Sequence, residues 1–315
     1  YRATYVQGTL EKLDGERIHT NYLLHGQVAG RPSSSHPNLN NVPRDKDIRT
    51  LWGAPKGRKL IEADYGQAEL RLMAMYAKDK TMLAIFASGG DLHRATASQI
   101  FGIPPEKVTK EQRSSAKAVN FGLVYGLGPV GLADQLGCSV LKAEKFITDT
   151  LKKFPQVQAF MSEVPKKARR TTKSVRNLFG RVRRIPELDH DNPAERGHAD
   201  RQAVNSLIQG TASDCMLLSL VRINDRLLHE KIDAFPVLTV YDCVVVEASE
   251  ESAEYVAQLV KEEMERPIEG ITVPMVADTE IVDRWGEHGE SLGVVSANMK
   301  DKVREILDKF KGGEQ

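Results

Sequence analysis

The chain has 315 residues, 41% of them hydrophobic and 28% charged, and a net charge of +1. That is enough chain to bury a real core, in one large domain or two ordinary ones, with the composition of a soluble globular protein. No apolar run approaches the roughly 20 residues needed to cross a bilayer, so no membrane partner is expected. The opening Tyr1-Arg2-Ala3-Thr4 lacks the basic-then-apolar pattern of a signal peptide and has no initiating Met, which reads as a cut boundary. Cys138, Cys215 and Cys243 show neither metal-ligand nor disulfide spacing, and a reducing compartment fits them. The charge is unevenly placed: residues 165–184 hold Lys166, Lys167, Arg169, Arg170, Lys173, Arg176, Arg181, Arg183 and Arg184 and no acid. That stretch is either a solvated helix face or a surface for a polyanion.

In chain order, residues 1–30 read as a short strand and hairpin region turning at Asp14-Gly15. The Pro-, Ser- and Asn-rich segment 30–43 reads as a loop of the kind that forms binding surfaces. Lys59-Leu60-Ile61-Glu62-Ala63 reads as a strand ending at Asp64, and the spacing of Leu70, Met73, Ala74 and Ala77 predicts a helix over 67–87. A second helix is expected over 110–130, with further helices to about Arg170, and a long amphipathic helix from Arg201 to about Glu230. Two β runs around Tyr241-Asp242-Cys243 suggest a hairpin within 236–248. A surface helix over 250–266, a last strand over 273–282 and an amphipathic helix over 297–310 complete the α+β pattern of a mostly antiparallel sheet with a helical insertion.

Three constellations carry chemistry. Asp64 and Asp242 each sit where a β segment stops, and neighbouring strands would bring both carboxylates to one sheet edge. Such a pair repels unless cations join it, and hard oxygen ligands favour Mg²⁺, as in two-metal phosphoryl transfer. Each aspartate alone is equally an ordinary turn residue. Arg113, Lys117, Phe121 and Tyr125 recur every four residues, one helical stripe of two cations followed by two rings. Cations hold a triphosphate and rings stack on a base, although a surface stripe running into a core has the same pattern. Gly122 within it suggests close approach of another group. Arg201, Asn205 and Gln209 form a second polar stripe, suited to minor-groove base edges or to amides satisfied inside a core.

Together these residues resemble DNA polymerase family A. Asp64-Tyr65-Gly66-Gln67-Ala68-Glu69-Leu70-Arg71 resembles the family's motif A, residues 113–126 its motif B, and Val240-Tyr241-Asp242-Cys243-Val244 its motif C. The loop 30–43, Asp91-Leu92-His93-Arg94 and residues 201–210 also match, in the family's order. The resemblance implies a right-hand palm with helical fingers. Residues 1–60 would be a thumb remnant and the start of the palm, 61–75 the motif A strand, 76–200 fingers, 201–293 palm with motif C, and 294–315 a C-terminal helical extension. It implies that Asp64, Asp242 and the Tyr65 carbonyl hold two Mg²⁺ ions. Arg113, Lys117 and His93 would bind the triphosphate of an incoming dNTP, Phe121 would stack near its sugar and base, and Gln67 would line the same nucleotide site. Glu69 and Tyr125 would close the sugar pocket against a ribose 2′-hydroxyl. Arg31, Asn38, Asn41, Asn205, Gln209 and Tyr241 would meet primer–template DNA. Either the chain is a fragment or a second polypeptide would supply thumb and exonuclease, and the setting would be the cytoplasm of a bacterial or phage-infected cell. Three departures stand out. Gly66 and Ala68 replace the usual Ser and Ile of motif A, and motif C reads Tyr-Asp-Cys where His-Asp-Glu is usual, so Cys243 supplies no carboxylate. The alternative is a catalytically reduced DNA-binding subunit.

Overall fold

The computed structural model describes residues 2–43 and 45–291. The expected helix over 297–310 and the expected extension 294–315 lie outside the described residues. The first ten residues depart from the expected strand: Arg2–Gln7 and Gly8–Leu10 are helical turns. The expected turn follows, with Leu13–Asp14 pairing with Arg17–Ile18 and Gly15 at φ +60°. A left-handed residue is what a tight hairpin demands there.

Strand β1, Arg58–Tyr65, alternates sharply: Ile61, Ala63 and Tyr65 are buried on one face, and Glu62 and Asp64 point to the other. It is followed by α1 (Ala68–Ala77) and α2 (Lys80–Ala87). The sequence pattern predicts one continuous helix here, but Lys78 turns left-handed at φ +52° and Asp79 starts a new helix by accepting from the Met82 N–H at 3.0 Å. The apolar period runs through the break because both helices bury their faces in the same core, so periodicity alone conceals the cap.

The helical insertion comprises α3 (Leu92–Phe101), α4 (Lys110–Tyr125), α5 (Pro129–Leu136), α6 (Val140–Lys153) and α7 (Pro155–Arg170). Its inner helices pack around Val119, Leu132 and Ala143, with a second cluster at Ala97, Val108 and Ala116. The lysine- and arginine-rich stretch is the end of α7 plus a small hairpin, Ser174–Arg176 with Val182–Arg184. Helix α8, Pro193–His229, starts eight residues before the expected Arg201, with Asn192 capping it through the Ala194 N–H.

The chain then adds β2 (Ala234–Val240), β3 (Cys243–Ser249), α9 (Ala253–Glu265), β4 (Ala277–Val282) and β5 (Glu290–Ser291). The strands form one antiparallel sheet in the order β5-β4-β1-β3-β2. Helix α9 is not the surface helix expected: Val256, Ala257, Leu259, Val260 and Met264 are buried against the sheet. The back face of the sheet (Ile61, Ala63, Val244, Val246) packs on Met216 and Ile223 of α8 and on α9. The front face carries a smaller cluster around Leu60, Val245, Val282 and Trp285, and then, toward the end of β1, polar residues. The core therefore fixes β1 from behind while its front stays open. Ile61 is fully buried in the back core. Ile61→Ala should cost about 2–5 kcal/mol by removing packed methyl groups, read in urea unfolding as a lower midpoint at unchanged slope.

Candidate active site

Register brings the acidic residues together. Asp64 lies directly opposite Cys243 of β3 on one side and Asp278 of β4 on the other. Directly paired residues of an antiparallel sheet share a face, so all three line one edge of the front surface. Glu62 pairs with Glu280 two residues back on the same face. Asp242 sits in the two-residue turn between β2 and β3, and its carbonyl accepts the Tyr65 N–H at 3.0 Å. That bond ties the turn to the end of β1. Tyr241 opens the turn at φ +55°. The Tyr65 ring points the other way, into the back core, where its hydroxyl meets Ser219 Oγ and the Met264 carbonyl, each at 2.7 Å.

A cavity of about 680 Å³ covers this edge, walled by Asp64, Tyr65, Gln67, Glu69, Asn41, Tyr241 and Asp242 and, across it, by His93, Arg113, Lys117 and Phe121. A slightly larger, more apolar cavity lies near Leu13, Trp52 and Phe235. Chemistry, not volume, marks the site: the first cavity sets Arg113 and Lys117 across from the Asp64 and Asp242 carboxylates.

The helix stripe is real. Phe121 and Tyr125 stack at 6.0 Å between centroids, Lys117 Nζ is 5.7 Å from the Phe121 ring, and Arg113 Nε is 2.5 Å from Asp91 Oδ2. Asp91 also caps α3 through the His93 and Arg94 N–H groups. His93 is buried 5.8 Å from Phe121. Asn120 Nδ2 lies 3.0 Å from its Nδ1, and Asn120 Oδ1 is engaged by Thr96. An amide NH₂ only donates, so Nδ1 accepts and the ring proton sits on Nε2. The close approach expected at Gly122 is not found: a Cβ there would lie 3.5 Å from Leu127, an ordinary contact.

Arg31 is the hub between the loop and the carboxylates. Its Nη2 is 2.5 Å from Glu69 Oε1 and 3.8 Å from Asp242 Oδ1, and its guanidinium lies 5.2 Å over the Tyr241 ring. Burial alone would lower the Arg31 pKa, but Glu69 and Asp242 outweigh it and hold it above the usual value. Burial raises the Glu69 carboxyl, which Arg31 and the Tyr125 hydroxyl partly offset. The Tyr125 phenol is pushed up by burial and by Glu69. Cys243 is raised by burial and by Asp64, so it stays a thiol.

Not every expected residue is in the cavity. Asn38 lies off the cavity wall, its Oδ1 accepting from Ser34 Oγ and the Asn41 N–H at 3.2 Å each. Asn205 and Gln209 lie half-buried on α8 outside the cavity wall, Asn205 Oδ1 having no hydrogen-bond partner among the described residues. Arg201 packs against left-handed Gly126 at the end of α4. Conversely, Glu62, Asp278, Arg49 and Gly286 line the cavity without having been foreseen. The Gly286 N–H donates to Glu62 at 2.6 Å, and burial raises Glu62 to about 6. Cross-strand register brings Glu62 and Asp278 there, and tertiary packing brings Arg49 and Gly286.

An antiparallel sheet with carboxylates at one edge, facing a cationic and aromatic helix, is the frame of a nucleotide-polymerising palm and fingers. The family model described as DNA polymerase family A matches residues 1–287, and the chain belongs to that family. It is 38% identical over 292 residues to DNA polymerase I of Pseudomonas aeruginosa, covering 91% of this chain and 32% of that protein. It is 37% identical over 273 residues to the thermostable DNA polymerase I of Thermus aquaticus, covering 85% and 32%. The chain thus spans about a third of the length of the curated relatives it matches. Among solved structures, the POL domain of Pol1 from M. smegmatis, in complex with DNA primer-template and dNTP, is similar at a TM-score of 0.83 and 33% identity, covering 89% of this chain and 50% of that one. Among the described residues, no helix is long and apolar enough to cross a membrane.

Burial drives the His93 pKa from 6.5 down to about 4. The unfolded chain then binds more protons than the folded one between those values, so stability rises with pH across that window. Its contribution is complete above pH 6.5 and declines as pH falls toward 4. An NMR titration should find His93 neutral, with the Nε2 proton, down to a midpoint of about 4. A midpoint of about 6.5 would refute the buried setting.

Proposed function

We propose that this chain performs template-directed DNA synthesis, adding deoxynucleoside triphosphates to a primer 3′ end. The observation that carries this reading is a single cavity in which Asp64 and Asp242 face Arg113, Lys117 and Phe121. Two cations across from a carboxylate pair, with a cavity of about 680 Å³ between them, support that reading.

The donor set fits Mg²⁺. Asp64 and Asp242 are hard oxygen donors reaching solvent, the Tyr65 carbonyl belongs to the same strand end, and the described residues form no closed group of three His, Cys, Asp or Glu ligands. Mg²⁺ keeps water and substrate phosphate among its ligands, so an open set suits it. Two bound ions would supply a lowered pKa for the primer hydroxyl and charge stabilisation for the departing pyrophosphate. The chain's own groups do the rest. Arg113 and Lys117 hold the triphosphate, with His93 as a neutral donor through Nε2. Phe121 stacks by the sugar and base, and Gln67 lines the same pocket. Glu69, held by Arg31 and facing Tyr125, fills the space a 2′-hydroxyl would need. Arg31, Asn41 and Tyr241 meet the primer terminus, and Asn38, Asn205 and Gln209 extend that contact along the duplex. Residues 1–60 serve as thumb remnant and palm start, 61–75 and 201–293 as palm, and 76–200 as fingers. A second polypeptide that supplies thumb and exonuclease is a further part of this proposal.

Primer extension by this chain with Mg²⁺ on a primed template tests the reading. Asp64→Ala and Asp242→Ala should each lower nucleotide addition by about a thousandfold or more, equivalent to several kcal/mol of lost charge stabilisation, while primer–template affinity is kept. Synthesis retained by either variant sinks the assignment. If extension appears only when another polypeptide is added, the split arrangement is supported. Phe at position 121, in place of a Tyr, should make the enzyme incorporate dideoxynucleotides more slowly than deoxynucleotides. Equal single-turnover rates for the two would contradict that role.

A further inference from the structure

Arg31 reaches the carboxylates from a loop, and its placement needs a cause. The loop residue before it, Gly30, is left-handed at φ +83° and lies flat against the Arg181 side chain: a Cβ there would come within 2.5 Å of Arg181 Nε and 2.7 Å of its Cζ. The Gly30 carbonyl accepts from Ser213 Oγ of α8 at 2.9 Å. One residue on, Asp214 grips Arg181 with both oxygens, Oδ1 to Nη2 at 2.6 Å and Oδ2 to Nε at 3.3 Å. Asp214 Oδ2 also accepts from Asn177 Nδ2 at 2.6 Å. On the same helix, Gly210 leaves only 3.3 Å between a would-be Cβ and the Ala29 carbonyl. Residues Ala29 and Gly30 are therefore clamped between α8 and the basic hairpin that carries Arg181.

We infer that Asp214 and Arg181 form a positioning pair that sets Arg31 between Glu69 and Asp242. The pair touches none of the reacting groups. It acts through the backbone of Gly30, whose next residue bridges the two carboxylates. Asp214 is nearly buried, with 10% of its side chain exposed against 41% for Arg181, and its two-point contact fixes the orientation of the guanidinium plane, not only its distance. The hairpin bearing Arg181 also carries Arg176, Arg183 and Arg184, so the pair joins a basic surface to the edge that holds Asp64 and Asp242. This inference rests on the proposed polymerase reading for its activity readout alone.

The test uses Arg181→Lys, Asp214→Asn and Gly30→Ala, each alone and combined with Arg31→Lys, in the full chain. Arg181→Lys keeps the charge but loses the two-point grip, so it is the variant expected to stay folded. Each single variant should lower kcat for nucleotide addition about 10-fold to 100-fold, as small misplacements at a reacting centre do, with KM for the dNTP little changed. In the Arg31→Lys background the same substitutions should add almost nothing, since they act through Arg31. Losses that multiply with that of Arg31→Lys overturn the inference and leave a plain structural staple. Independently of catalysis, the Arg31 Nε–H resonance in arginine-labelled protein should move in Arg181→Lys and in Asp214→Asn. An unmoved resonance overturns the inference as well. If the unaltered chain adds no nucleotide, the polymerase reading fails, and the resonance arm still decides this one.

Discussion

Carboxylates that share one sheet edge repel one another, and the organisation of this protein follows from holding them there. Asp64, Asp278, Glu62 and Glu280 occupy directly paired positions on the front of β1 and β4, and Asp242 is tied to the same edge by a backbone hydrogen bond. Like charges in direct cross-strand pairs are unfavourable. The chain offsets part of this with its own groups: Glu62 and Glu280 each accept a backbone N–H, from Gly286 and Gly289. Arg49 lowers the Glu62 carboxyl while burial raises it. Arg31 serves Asp242 and Glu69 together. Asp64 itself lies at the exposed tip of β1, where the strand meets the cavity.

Much of this was legible in the sequence, and the illegible remainder has physical causes. Local periodicity carries over short range, so the strand into Asp64, the hairpin at Tyr241-Asp242 and the stripe Arg113–Lys117–Phe121–Tyr125 could be read directly. Each of these calls for neighbours within a few residues. Helix limits were less legible where tertiary contacts keep the apolar rhythm running. Lys78 and Asp79 interrupt a helix whose buried side continues unbroken, and α9 reads as a surface helix until the sheet beneath it is seen. Non-local register is not encoded in any window. Nothing about Asp278 or Glu62 marks them as cavity residues until β4 is laid beside β1. Conversely, Asn38 uses its side-chain oxygen to organise its own loop, a role that composition does not reveal.

The departures at motif C also gain a physical setting. Tyr241 stands where the turn is left-handed, with its ring under Arg31, so its bulk faces the open cleft and not the core. Cys243 faces Asp64 directly across the strand pair, and burial keeps it protonated. A neutral thiol there adds no negative charge to an edge already crowded with it, which eases the repulsion described above.

Tyr65 points in the opposite direction from the cleft, and its hydroxyl is anchored between Ser219 and Met264. Its amide, meanwhile, holds the Asp242 turn. One residue thus joins two compartments with different solvents: a dry interior that tolerates only matched hydrogen bonds, and a wet trough walled by carboxylates. The depth to which that ring sinks into the interior sets how far the strand tip projects into the trough. The spacing of the acidic groups is consequently gauged from inside the protein, by atoms buried behind the sheet.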